Sequence, residues 1–181
     1  MSGAAVITAW TFANDIGVPV TVALATLVAT TLIRQQSEAR SRRRDRYAQA
    51  VAVLVAWVEY PYRIRRRTSD SPEGLSTLAT VGHDLQQELA RSRAWVEAED
   101  AVVAEVYRTV VATLGAAIGP ACCEAWESPP VATAAGMNLK GWGPGAGCFA
   151  AIQGLESAIA ERFRWWGFLA PLRRRRCRSS E

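Results

Sequence analysis

The sequence predicts an all-α protein: one N-terminal transmembrane helix continuing into a cytoplasmic antiparallel bundle of three to four helices. Three observations predict it. Residues 16–33, IGVPVTVALATLVATTLI, carry no charge and are long enough to cross a bilayer core of about 30 Å as a helix. Downstream, apolar residues recur every three or four positions in four separate stretches, and none keeps the alternation of a strand. Short Pro- and Gly-containing connections fall between some of these stretches, as they do in up-and-down bundles.

Residues 1–15 read as a short extracytoplasmic N-terminus. Drawing their apolar part into the span would place Asn14 and Asp15 at mid-bilayer, and a carboxylate there costs about 2.5–3.5 kcal/mol. Trp10 and Phe12 are instead placed at the outer interface. Pro19 falls in the first helical turn, where its missing N–H has no partner to lose. A cleaved signal peptide is disfavoured: no basic segment precedes the apolar run, and Arg34, Arg40, Arg42, Arg43, Arg44 and Arg46 follow it. By the positive-inside rule these arginines stay in the cytoplasm, so the N-terminus lies outside. Gly17, Thr21, Ala25 and Ala29 recur every four residues, a small-residue face through which two copies of the span can approach closely as a homodimer.

The bundle is assigned to residues 34–166, with helices at 34–62, 72–96, 98–127 and 147–166. The first continues the membrane helix through the Arg-rich joint. It carries Tyr47, Val51, Leu54, Val55, Val58 and Tyr62 at helical spacing and is expected to end at Pro61. Ser71–Pro72 starts the second, whose stripe is Leu75, Leu78, Gly82, Leu85 and Leu89. The third carries Val103, Val106, Val110, Leu114, Ala117 and Ala121, with Glu97, Glu99 and Asp100 in its first turn. No Gly or Pro separates the second from the third, so one continuous helix is the alternative. Gly119–Pro120 is expected to kink the third helix. A Gly/Pro-rich loop, 128–147, leads into the last helix, whose face holds Ile152, Leu155, Ile159, Phe163 and Trp166. Gly167 and Pro171 are expected to stop it, leaving 167–181 as a basic tail.

The net charge of +4 is unevenly distributed. Residues 34–67 carry ten Arg against three acidic residues, a net of +7, and residues 68–172 carry six basic against twelve acidic, a net of −6. Residues 173–181 return to +4. An acidic body between basic flanks argues against nucleic acid as a partner. Anionic phospholipid is the expected one, held by Arg40, Arg42, Arg43, Arg44 and Arg46 beside the membrane and by Arg173, Arg174, Arg175 and Arg176 in the tail. All but one of the basic residues are Arg, as GC-rich coding produces.

Chemistry-bearing motifs are sparse. The single histidine, His83, excludes two-histidine metal motifs, and no CxxC occurs among the four cysteines. Cys122 and Cys148 read as buried thiols, so no catalytic, metal or cofactor residue is assigned. The most unusual local feature is Gly141, Trp142, Gly143, Gly145 and Gly147 ahead of a helix, a possible anion- or ligand-binding loop. The spacing matches no phosphate motif, and no strand precedes it. The preferred reading is a rigid loop with Trp142 tucked against the bundle.

The stretches AVLVAWVEYPYRIRRRTSD, GHDLQQELA, ESPPVATAAGMNL and WGPG resemble uncharacterised single-pass membrane proteins of actinobacteria that carry a helical cytoplasmic domain. The resemblance covers most of residues 18–163. It supports a bacterial, GC-rich origin and transfers no functional residue, since that family has no assigned activity; the inner-membrane location rests on the span and the arginines that follow it. The expected function is a membrane-anchored, non-enzymatic scaffold or protein-interaction module with a protein partner the sequence does not name. The alternative is a ligand-binding or catalytic helical domain centred on loop 128–147.

Overall fold

The computed structural model describes the backbone of residues 18–176 and the side chains of residues 27–164. It is all-helical: α1 (Val18–Arg65), α2 (Pro72–Glu99), α3 (Ala101–Glu127) and α4 (Ala146–Arg176), with one 3-10 turn at Ala134–Met137. No strand occurs among the described residues. The expectations for residues 1–15 and Gly17 lie outside them. The chain divides between Asp45 and Arg46 into two compact units, and α1 contributes to both.

In the first unit α1 is helical without interruption from Val18. Glu38 pairs with Arg34 one turn before it and with Arg42 one turn after it, at 3.2 and 3.6 Å. These pairs are largely exposed, so each adds only about 0.3–0.5 kcal/mol to the helix. In the second unit α1 buries Tyr47, Ala50, Leu54, Val58 and Ile64. The helix does not end at Pro61, as the sequence suggests, but runs on to Arg65. Proline removes only the bond to the carbonyl of Trp57, and Pro61 is itself fully buried, so packing carries the turn beyond it.

α2 begins where sequence logic puts it. Ser71 is the N-cap, its hydroxyl accepts the Gly74 N–H at 3.2 Å, and Pro72 fills the first helical position. Its end is less expected. Asp100 alone separates α2 from α3, in an extended conformation (φ −154°, ψ 115°), as C-cap of one helix and N-cap of the next. Two helices form, not one, because the Asp100 carboxylate accepts the N–H groups of Val102 and Val103 at 3.0 and 3.2 Å. Glu97 and Glu99 therefore close α2 and do not open α3.

α3 buries Val103, Ala104, Tyr107, Val110, Leu114, Ile118, Ala121 and Ala125, an unbroken three-four spacing. Its helix passes through Pro120. Among the described residues it is also the one helix long and apolar enough to cross a membrane. α4 remains helical to Arg176, past Gly167 and Pro171, where a stop was expected. A single proline deletes one bond of the ladder without ending it.

Side-chain contacts fix an up-down-up-down order in the second unit. Tyr60 near the end of α1 donates to the Leu78 carbonyl near the start of α2, at 2.9 Å. At the other end Tyr47 meets Trp95 of α2 and Phe163 of α4, edge to face, with ring centroids 4.7 and 5.9 Å apart. Leu54, Val58, Val96, Tyr107, Leu114, Ile152 and Leu155 lie between these ends in one buried cluster.

Candidate functional site

The loop that the sequence singles out is fastened by a group of arginines that sequence reasoning took for charge alone. Just past α1, Arg67 is almost fully buried, with 6% of its side chain exposed. Its guanidinium donates to the carbonyls of Ala125 at 2.7 Å, Trp126 at 3.2 Å and Ser128, and to Asp70 Oδ1 at 2.6 Å. It thereby caps the C-terminus of α3, where unsatisfied carbonyls and the negative end of the helix dipole favour a cation. The Arg67 carbonyl in turn accepts from Val131 N–H at 2.8 Å. Arg65 donates to the Pro129 carbonyl and Arg66 to the Met137 carbonyl, both at 3.3 Å. The signal was a run of Arg at a helix end; what it served was set by carbonyls about 60 residues away.

Within the loop, Trp142 lies edge-on to Tyr62, with centroids 5.7 Å apart, and its Nε1–H donates to Glu124 Oε1 at 2.7 Å. Lys140, Gly141, Gly143 and Gly145 all have positive φ. Gly143 is required twice over, because the Tyr62 ring occupies the space a Cβ would need. Gly147 lies inside α4. The amides of Trp142 and Cys148 turn toward the carbonyls of Leu139 and Gly145, at 2.8 and 3.3 Å. The structure thus brings Trp142 and Gly143 together on Tyr62 and Glu124, whereas added Cβ atoms at Gly141 and Gly145 would meet open space.

Burial sets the state of two of the thiols and one phenol. Burial, with Cys123 adding to it, pushes the Cys122 thiol up to about 11, and burial also raises that of Cys148. Cys148 donates to the Pro144 carbonyl at 3.4 Å. His83 is exposed and pairs with Gln87 at 2.7 Å, apart from the core that holds both of these thiols. Burial pushes the Tyr107 phenol up to about 12 against the opposing charge of Arg93. No cluster of three metal-ligating side chains occurs among the described residues.

A second candidate region is the first unit. Leu27, Val28, Leu32 and Ile33 are exposed on α1. Arg40, Arg42, Arg43 and Arg44 are exposed further along the same helix, and Arg46, the first residue of the second unit, is exposed too. Of the small-residue face, Thr21, Ala25 and Ala29 fall on helical backbone and Ala29 is exposed; the side chains of Thr21 and Ala25, and those of Arg173, Arg174, Arg175 and Arg176, lie outside the described residues.

Comparison of the chain with protein-family models, with curated proteins and with solved structures finds no match.

Proposed function

We propose that this protein is a membrane-anchored, non-enzymatic scaffold, with residues 16–33 spanning a bacterial inner membrane, the N-terminus outside and the bundle at the cytoplasmic face. The observation that carries the reading is α1. One unbroken helical backbone joins the uncharged stretch, with its exposed Leu27, Val28, Leu32 and Ile33, to residues buried in the bundle. Apolar surface left in water costs about 25 cal/mol per Å², and lipid removes that cost. The arginines that follow supply the retention signal and a contact for anionic phospholipid. Although α3 also has the length and apolarity of a span, it spends Tyr107, Val110, Leu114 and Ile118 on the core and carries Glu105 and Arg108. We therefore assign the span to residues 16–33. The scaffold reading draws support from the buried polar groups: Arg67 and Asp100 cap helices and join elements.

The test is extraction and labelling of the full chain in cells. Cys123 is exposed and Cys148 buried, so Cys123 is the informative thiol. We expect the protein in the membrane fraction after alkaline carbonate washing, with Cys123 reached by an impermeant maleimide only after permeabilisation. Release by carbonate rejects the anchor; labelling in intact cells rejects the orientation. Crosslinking in native membranes with mass spectrometry should then recover a protein neighbour or a second copy.

A further inference from the structure

We infer that the groove between α1 and α2 is a binding site for a phosphate group. Arg46 and Gln49 of α1 and Glu88, Arg91, Ser92 and Trp95 of α2 line a cavity of about 310 Å³, at the lower end of the size of small-ligand sites. This inference stands independently of the membrane reading.

The lining is arranged for an anion. Arg46 stacks over the Trp95 ring, its guanidinium carbon 5.7 Å from the ring centroid. The stacking fixes the plane of the guanidinium and leaves its N–H edge available for in-plane hydrogen bonds. Arg91 is held by Glu88 at 2.5 Å through one nitrogen, Nη1, so its other donors remain. Ser92 adds a hydroxyl to the two arginines. It is 9% exposed and lines the groove, where its O–H is available to an acceptor seated between them. Gln49 offers an amide at the exposed rim. Two guanidinium forks, a hydroxyl and an amide present more donors than a carboxylate's two oxygens can use. A tetrahedral phosphate offers three or four acceptor oxygens, and arginine matches it bidentately. The Glu88 carboxylate, neutralised by Arg91, keeps the groove from being a general sink for polyanions.

The phosphate can come from a phospholipid head group or from a soluble phosphate, and the experiment separates these. The purified full-length protein in mild non-ionic detergent is titrated by calorimetry at low salt with inorganic phosphate and, separately, with dihexanoyl-phosphatidylglycerol below its micelle concentration. Saturable binding is expected for at least one probe; binding of the lipid alone identifies a head group as the source, and binding of both identifies phosphate itself. Ser92→Ala, the variant least able to disturb folding, should weaken binding roughly ten-fold, as loss of a hydrogen bond to a charged group does. Arg46→Gln and Arg91→Gln should weaken it at least as much, and Arg108→Gln, outside the groove, should leave it unchanged. Absence of saturable binding by both probes overturns the inference. So does a Ser92→Ala protein that binds like wild type, or an equal loss in Arg108→Gln, since either result makes the binding a matter of net charge.

Discussion

Arg162 donates to Asp100 Oδ2 at 2.6 Å while the other carboxylate oxygen caps α3, so one buried side chain ties the joint of two helices to a third across 62 residues. The Asp100 side chain is only 4% exposed, that of Arg162 37%. Burial by itself would raise the Asp100 carboxyl. The hydrogen bond from Arg162, the amides of Val103 and Val102 and the charge of Arg162 outweigh it and hold the group below its ordinary 3.8.

A depressed carboxylate stabilises the fold fully above its ordinary value, and that contribution is lost as pH falls through the lower folded value. Asp100→Ala, which removes cap and ion pair together, should cost about 1–2 kcal/mol at pH 7 from the cap alone. Asp100→Asn keeps a good cap and loses the charge, so it should cost less. Urea unfolding of wild type and Asp100→Asn checks the sign: their difference should shrink as the pH drops below about 3.8.

Arg67→Lys tests whether charge or geometry closes the end of α3. Lysine keeps the charge but cannot reproduce a planar fork reaching the carbonyls of Ala125, Trp126 and Ser128. A carbonyl left unpaired away from water costs about 1–3 kcal/mol, and those of Ala125 and Ser128 are part-buried. Thermal unfolding should show a clear drop in Tm; an unchanged Tm would mean the positive charge alone suffices.

Gly141 and Gly143 make a matched pair in the loop. Both have positive φ, 82° and 137°, but only Gly143 abuts Tyr62. Gly141→Ala should cost about 1–2 kcal/mol, the backbone penalty alone. Gly143→Ala should cost more and should displace Tyr62 and Trp142. Circular dichroism melts give the order, and near-ultraviolet spectra report the rings.

Alkylation at pH 8 should sort the thiols. Cys123 is exposed and should react readily in the folded protein. Cys122, raised to about 11 by burial, and buried Cys148 should react only on unfolding. Peptide mapping after a timed pulse of iodoacetamide separates the three.

Sequence periodicity revealed the helices because buried faces demand it: Leu54, Val58, Val103, Val110, Leu114, Ile152 and Leu155 stand where a 3.6-residue repeat requires. The start of α2 was equally legible, since a Ser–Pro cap acts through its nearest neighbours. The joint at Asp100 was not. A helix can be broken by a favourable cap without any Gly or Pro, and the acidic residues before it suit either assignment. The ends at Pro61 and Pro171 were overread because one lost hydrogen bond is less than flanking contacts supply. Arg65, Arg66 and Arg67 were misread for another reason. Their acceptors are backbone carbonyls, which every residue has and no sequence pattern marks. The groove at Ser92 was equally hidden, because two helices assemble it: Arg46 and Gln49 on one, Glu88, Arg91, Ser92 and Trp95 on the other.

The Arg67 cap also sets an order of events. Its acceptors lie 58, 59 and 61 residues further along the chain, with the whole of α2 and α3 between. Closing so long a loop carries an entropy penalty that must be met before the contact contributes. The bonds therefore form after the helices have docked, on the native side of the folding barrier. Arg67→Lys should then leave the refolding rate nearly unchanged and hasten unfolding, which makes this one side chain a latch on the lifetime of the folded bundle.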